Sequence, residues 1–203
     1  MEHMTNSITL RGTLHSLPLF SHENHGRQFY RFLLEVTRLS GAVDILPVIA
    51  EKNLVDDLDP TGGSMITVTG QIRSHNQRID GTRHLLIFVF AVTVAVEEGE
   101  PINDVVIEGP LCREPNFRRT PLGRDICDVM LAVPRAFRRA DYLPCILWGR
   151  TAQEVAACHT RDVIRIYGRL QSRIYTKLTE AGAQERTAYE ISALTADILE
   201  NQI

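Results

Sequence analysis

An all-β chain built from two tandem copies of one five-stranded unit is the fold class the sequence predicts. Three observations predict it. Strand-period alternation recurs along the chain, as in IRIYGRL from position 164, where Ile164, Ile166, Gly168 and Leu170 fall on one side. A repeat is visible by eye: NSITLRGTL (6–14) returns as NDVVIEGPL (103–111), an offset of 97. Helix-like stretches are short and confined to one place in each copy.

The offset continues without a gap through Pro18/Pro115, Phe20/Phe117, Gly26-Arg27/Gly123-Arg124, Leu34/Leu131, Arg38/Arg135, Asp44/Asp141 and Pro47/Pro144. One residue of slippage later, ITVTGQIRS (66–74) meets IRIYGRLQS (164–172). RHLLIFVFAVTV (83–94) pairs with RTAYEISALTAD (186–197), which makes the second hairpin tip five residues longer. In the second copy the strands fall near 103–113, 124–135, 141–148, 162–175 and 186–197, separated by turn chemistry such as Pro121 and Gly123. TAQEVAAC (151–158) reads as a helix, with Thr151 and Glu154 spaced as a capping box. In the first copy AEKNLVDDLDPTGG is a poorer helix, cut short by Pro60 and two glycines. Five strands with a helix between the third and fourth is the layout of an OB-fold barrel. The expected domains are 1–97 and 102–203, with EEGEPIN (97–103) as the link.

Composition limits the function. Of 203 residues, 44% are apolar and 23% charged, the profile of an ordinary globular protein. The longest apolar run, LLIFVFAV (85–92), is far short of the ~18 residues of a membrane span. The start lacks the basic and apolar regions of a signal peptide, so the cytoplasm is the expected compartment. Cys112, Cys127, Cys145 and Cys158 form no CxxC pair, which removes zinc-ribbon and thioredoxin-like readings. No GxSxG, Walker A or HExxH pattern occurs, so no enzyme is expected and no cofactor. His22-Glu23-Asn24-His25 is read as a solvated loop rather than a metal site, and Asp56, Asp57 and Asp59 as an acidic helix end.

The net charge of −3 by itself argues against a nucleic-acid binder, but the halves differ. Residues 1–99 hold 8 Lys+Arg against 11 Asp+Glu; residues 100–203 hold 14 of each, and 13 of those cations are arginine. The outward side of the strand from 164 carries Arg165, Tyr167, Arg169, Gln171, Arg173, Tyr175 and Lys177, cations and rings without a carboxylate. A groove for single-stranded nucleic acid needs such a mixture: cations for phosphates and rings on which bases stack. The plainer readings compete. Tyr167 suits a core as well as a groove, and Arg165 suits an ordinary ion pair.

NDVVIEGPLCREPNFRRTPLGRDICDVMLAVPR, DYLPCILWGRTAQEV and VIRIYGRLQSRIY, in this order, resemble the bacterial single-stranded DNA-binding protein family across 103–198. The resemblance implies stacking aromatics at Tyr142, Trp148 and Tyr175. Arg118, Arg119, Arg135, Arg150, Arg169, Arg173 and Lys177 are the cations around them. Arg138 and Arg139 lie in a shortened loop, which leaves their reach to phosphate open. The first copy departs from the pattern, with Ile45, Glu51 or Ala50, and Asn76 or Gln77 at the three ring positions. It is expected to bind poorly and to act as a scaffold or dimer-like contact. Family members commonly assemble four barrels, which implies a homodimer of this chain. The chain stops at Ile203 without the family's acidic tail, and in that it is similar to primosomal replication protein N. The expected function is non-catalytic, largely sequence-independent binding of single-stranded DNA in replication, recombination or repair. The competing reading is a degenerate interaction module of replication or mobile-element machinery with weak DNA affinity.

Overall fold

A computed structural model describes residues 5–56, 58, 63–79, 81–179 and 182–199, without the side chains of Ile79, Thr82, Arg83 and 177–179. Asp57, Asp59 and Pro60 of the first copy's weak helix, and the Lys177 side chain, therefore lie outside the described residues. The first half runs β1 (Asn6–Leu14), β2 (Leu19–Asn24), β3 (Arg27–Thr37), β4 (Val43–Glu51), a 3₁₀ turn (Lys52–Leu54), β5 (Met65–Ile79) and β6 (Thr82–Val96). The second runs β7 (Ile102–Pro110), β8 (Asn116–Arg119), β9 (Asp125–Arg135), β10 (Arg139–Trp148), α1 (Gly149–Val155), β11 (Val163–Thr179) and β12 (Gly182–Leu199). Among the described residues no helix is long and apolar enough to cross a membrane.

Each half closes on itself. In the first, β1 pairs with both β3 and β5, β3 with β4, β5 with β6, and β4 with β6 in parallel. In the second, β7 pairs with β11, β9 with β10, β11 with β12, and β10 with β12 in parallel; the Leu111–Leu131 bridge completes the ring. This is the OB-fold layout that the strand order predicts. Alternate residues fill each ring, and the repeat fixes which. Leu10, Leu34, Leu46, Ile66 and Ile72 are fully buried, as are their counterparts Ile107, Leu131, Leu143, Ile164 and Leu170.

The halves join through β1 and β7, which pair antiparallel from Asn6–Ile107 to Arg11–Ile102. Ile8 lies opposite Val105, its own counterpart at offset 97. The contact is therefore pseudo-two-fold, the geometry of an isologous dimer written into one chain. Buried carboxylates tie the same boundary reciprocally. Asp44 accepts the Ser172 backbone N–H (2.7 Å) and two bonds from Arg38 (2.6 Å each). Asp141 accepts the Ser74 N–H (2.7 Å) together with Arg73 (3.1 Å) and Arg135 (3.3 Å). Identities visible in the sequence (Arg38/Arg135, Asp44/Asp141, Ser74/Ser172) are thus largely the residues of the boundary.

Three local expectations are corrected. The helix starts at Gly149, whose φ of 57° turns the chain out of β10; Thr151 then falls inside the first turn, and Glu154 pairs with Arg150 (2.8 Å) instead of closing a capping box. Among the described residues the first half carries a 3₁₀ turn where the second has α1. The last strand is aligned one residue off: Gln71–Phe90 and Arg169–Ser192 are equivalent pairs, so the second hairpin is four residues longer, not five. Burial parity requires this, because a one-residue slip would turn a strand's core face to solvent.

Both halves share a β-bulge, at Thr69/Gly70 and at Tyr167/Gly168. A Cβ at Gly168 would overlap the backbone carbonyl oxygen of Ser192, and one at Gly70 that of Phe90. Gly168→Ala is expected to destabilise the chain by about 1–3 kcal/mol through overpacking, read as a lower midpoint of thermal unfolding. An unchanged midpoint would mean that the strand shifts freely at the bulge.

Candidate nucleic-acid interface

The outer side of β10 carries Tyr142, Pro144, Ile146 and Trp148, since Asp141, Leu143, Cys145 and Leu147 turn inward. Register then assembles a surface around them. Ile126 and Asp128 of β9 lie opposite Trp148 and Ile146, and Arg118 and Asn116 of β8 lie beyond. On the other side Ser192 of β12 neighbours Ile146, and Arg169 of β11 pairs with Ser192. Of these, Arg118, Ile126, Asp128, Ile146, Trp148, Arg169 and Ser192 enclose a groove of about 520 Å³ that also takes in Gln171, Arg173 and Glu190. Trp148 and Tyr142 stand about 20 Å apart along the strand, and 39% and 45% of their surfaces are exposed.

The electrostatics of the groove are those of a partly neutralised cationic trough. Arg118 holds Asp128 at 2.6 Å; this hydrogen bond raises the guanidinium pKa above its ordinary value. Glu190 accepts from Gln171 (2.8 Å) and lies 3.8 Å from Arg173. Arg169 differs: its Nε is buried without a hydrogen-bond partner among the described residues. A buried donor of that kind costs about 1–3 kcal/mol. Three second-half arginines beside a half-exposed indole suit an anionic, ring-bearing ligand.

The sequence profile of the Single-strand binding protein family matches residues 102–199. Single-stranded DNA-binding protein B of Bacillus subtilis (strain 168) is 36% identical over 80 residues, 36% of this chain and 71% of that protein. The chain belongs to the single-strand binding protein family. A second relative, the single-stranded DNA-binding protein of Oceanobacillus iheyensis, is 31% identical over 110 residues, half of this chain and 65% of that protein. The crystal structure of the wild-type single-stranded DNA binding protein from Thermus aquaticus superposes with a TM-score of 0.80 over 99% of this chain and 96% of that one. At 22% identity the likeness is one of fold, and it runs through both halves.

Against this family background the predicted site residues sort into distinct places. Trp148, Arg118, Arg169 and Arg173 meet in the groove. Tyr175 lies in a neighbouring groove of about 600 Å³ between the halves, walled by Pro47, Leu86, Pro144 and Tyr189, with Arg31, His84 and Arg186 also lining it. Its ring still takes the Arg173 guanidinium at 5.8 Å. Tyr142 remains on the shared strand face, its N–H bonded to Ser74 Oγ of the first half at 2.7 Å. Arg119 follows Arg118 on β8 and so faces away; it binds Asp125 (2.7 Å), which Gln153 of α1 also holds. Arg150 stands free of the groove on α1, paired with Glu154. Arg135 is held by Asp141 at the boundary between the halves and does not line the groove. The cationic ribbon divides as well. Arg165 pairs with Glu108 at 2.7 Å and Tyr167 is half-buried, whereas Arg169, Gln171 and Arg173 line the groove.

Sequence reasoning missed three features. Glu190 and Asp128 bring carboxylates into a face that looked purely cationic from one strand, because they come from β12 and β9. Phe137 stands 93% exposed at the β9–β10 hairpin tip with φ 60°, a costly conformation for a bulky residue. Arg38 of the first half lines the second half's groove. A count of exposed rings would have signalled Phe137; nothing in one dimension signals Arg38.

The first half's corresponding face is filled by its own side chains. Glu51 stands at the Trp148 position, 3.7 Å from Arg27. Phe29 and Phe90, at the positions of Ile126 and Ser192, pack 5.8 Å apart, with His22 stacked on Phe29 at 4.9 Å and Arg73 over Phe90 at 5.9 Å. His22, Glu23 and Asn24, expected in a solvated loop, thus lie on β2, and His22 is engaged as a ring. Burial raises the thiol pKa of Cys127 to about 11 and that of Cys145 further, so both stay protonated at neutral pH.

Proposed function

We propose that this protein binds single-stranded DNA, largely without regard to sequence and without catalysing a reaction, in replication, recombination or repair in the cytoplasm. The observation that carries the reading is Trp148, half-exposed on a groove that Arg118, Arg169 and Arg173 also line. Family membership and the relatives' names support it. Bases would stack on Trp148, Tyr142 and Tyr175, with exposed Phe137 as a fourth platform, while Arg118, Arg169 and Arg173 hold phosphates. Arg119 and Arg150 fit the flanks of the path. The unit 102–203 is the main binding surface. The unit 1–97, its own face occupied by Phe29 and Phe90, positions that surface through the pseudo-two-fold boundary. Two chains would bring together four barrels, and we infer a homodimer on that ground.

Trp148 is the single tryptophan of the chain, so its fluorescence reports on this groove. Titration with a thymidine homopolymer of about 35 nucleotides is expected to quench it. The slope of log K on log salt is expected to be about −0.7 for each phosphate held, hence about −2 to −3 for three or four arginines. A slope near zero, without quenching, would hand the function to the rival reading, an interaction module with little DNA affinity.

A further inference from the structure

We propose that the first half contributes Arg38 as a phosphate-binding residue to the groove of the second half, so that the strand-binding site is shared by both copies of the repeat. The inference rests on the reading of that groove as the single-strand site. Arg38 follows β3, in the half whose own face is filled, yet its side chain lines the groove beside Arg118, Arg169 and Arg173. The electrostatic influence of Glu190, a second-half residue in the same groove, reaches it.

The chemistry of its partner explains the placement. Nε and Nη2 of Arg38 donate to the two oxygens of Asp44, each at 2.6 Å. A guanidinium has five N–H donors, so this grip leaves the two on Nη1 and one on Nη2 for a second anion. Asp44 is fully buried and is itself fixed by the Ser172 backbone N–H. The chain of bonds Ser172–Asp44–Arg38 therefore starts in the second half, crosses into the first and ends in the second half's groove. Asp44 acts here as a positioning residue. Holding the guanidinium in one orientation lowers the rotamer cost of meeting a phosphate.

The repeat makes the exchange intelligible. Arg135 is Arg38's counterpart and is held by Asp141, the counterpart of Asp44. Across a two-fold boundary, an arginine that reaches over leaves its own barrel and serves the other. That is why Arg135, the second copy's own residue, is absent from the second copy's groove while Arg38 is present. The lining then holds four arginines against Asp128 and Glu190, and loss of Arg38 would remove half of the net positive charge.

The test uses the full chain, the thymidine homopolymer and Trp148 quenching, with Arg38→Gln and Arg38→Lys. The glutamine can still donate to Asp44 but carries no charge. It is expected to lose several-fold in affinity and to flatten the salt slope by about 0.7, one phosphate contact, with Trp148 still quenched at saturation. Arg38→Gln folded and equal to wild type in affinity and slope would overturn the inference and leave the DNA reading intact. Wild type without quenching would instead sink the DNA reading itself. Should Arg38→Gln fail to fold, Arg38→Lys decides. The chain has two lysines, Lys52 and Lys177, so acetylation of the introduced amine can be followed with Lys52 as reference. Slower acetylation with DNA bound supports the inference; equal modification with and without DNA overturns it.

Discussion

Replacing Trp148 by alanine is expected to weaken binding of a thymidine homopolymer by about fivefold to 150-fold. That range is the 1–3 kcal/mol that one stacked base contributes. Trp148 ends β10 at the residue before α1, and its outward position is set by strand parity rather than by a need to fill the core. The indole, 39% exposed, lines the groove beside Ile126, its partner in the ladder. Stability should therefore change little compared with affinity. Since the substitution also removes the intrinsic fluorophore, binding has to be read by anisotropy of a labelled oligonucleotide, with thermal unfolding as the control for folding. Affinity equal to wild type would remove Trp148 as a stacking platform. A large loss of stability with the same affinity per folded molecule would reassign the ring to structure.

What the sequence made legible follows from period and repetition. Strand parity placed Ile164, Ile166 and Leu170 inward and Arg169 and Arg173 outward, and the burial of β11 agrees. The offset of 97 made the repeat legible, but not that Ile8 would pair with Val105, its own counterpart, to join the halves. Parity failed where the ladder changes partner. Arg165 and Tyr167 lie on the stretch of β11 that also pairs with β7, and Glu108 of β7 is there to take Arg165. Arg169 and Arg173 lie beyond that pairing, beside the groove. The one-residue error in the last strand came from a longer hairpin judged by letter similarity, where Val92 and Leu194 bulge out alike and fix the true register. Arg119 lies outside the groove for a simpler reason: neighbours on a strand cannot share a face. The identities Arg38/Arg135, Asp44/Asp141 and Ser74/Ser172 were visible, but their exchange across the boundary is a property of three dimensions.

That exchange leads to the largest expected loss of stability. Asp141→Ala should destabilise the chain by about 3–5 kcal/mol, the range for removing one partner of a buried ion pair. For a chain of this size the midpoint of thermal unfolding should fall by about 6–20 °C. The cost arises from what is left behind. The Asp141 side chain is fully buried, and without it the Ser74 N–H loses its 2.7 Å acceptor while Arg73 and Arg135 lose their shared counter-ion. Asp141→Asn should cost less, because an amide oxygen can still accept from Ser74 although the charge is gone. The order alanine worse than asparagine worse than wild type separates a buried network from a surface pair, for which all three would lie within about 1 kcal/mol. Calorimetry is the measurement, since it also shows whether the halves still unfold together. A single transition at the wild-type temperature in Asp141→Ala would mean that both arginines relax to solvent and that β1–β7 pairing alone holds the barrels. Two transitions would mean that the carboxylates couple barrels which are otherwise stable separately. Either outcome bears on the shared groove, because Asp44 occupies the same place in the reciprocal half of the network and sets the direction of Arg38.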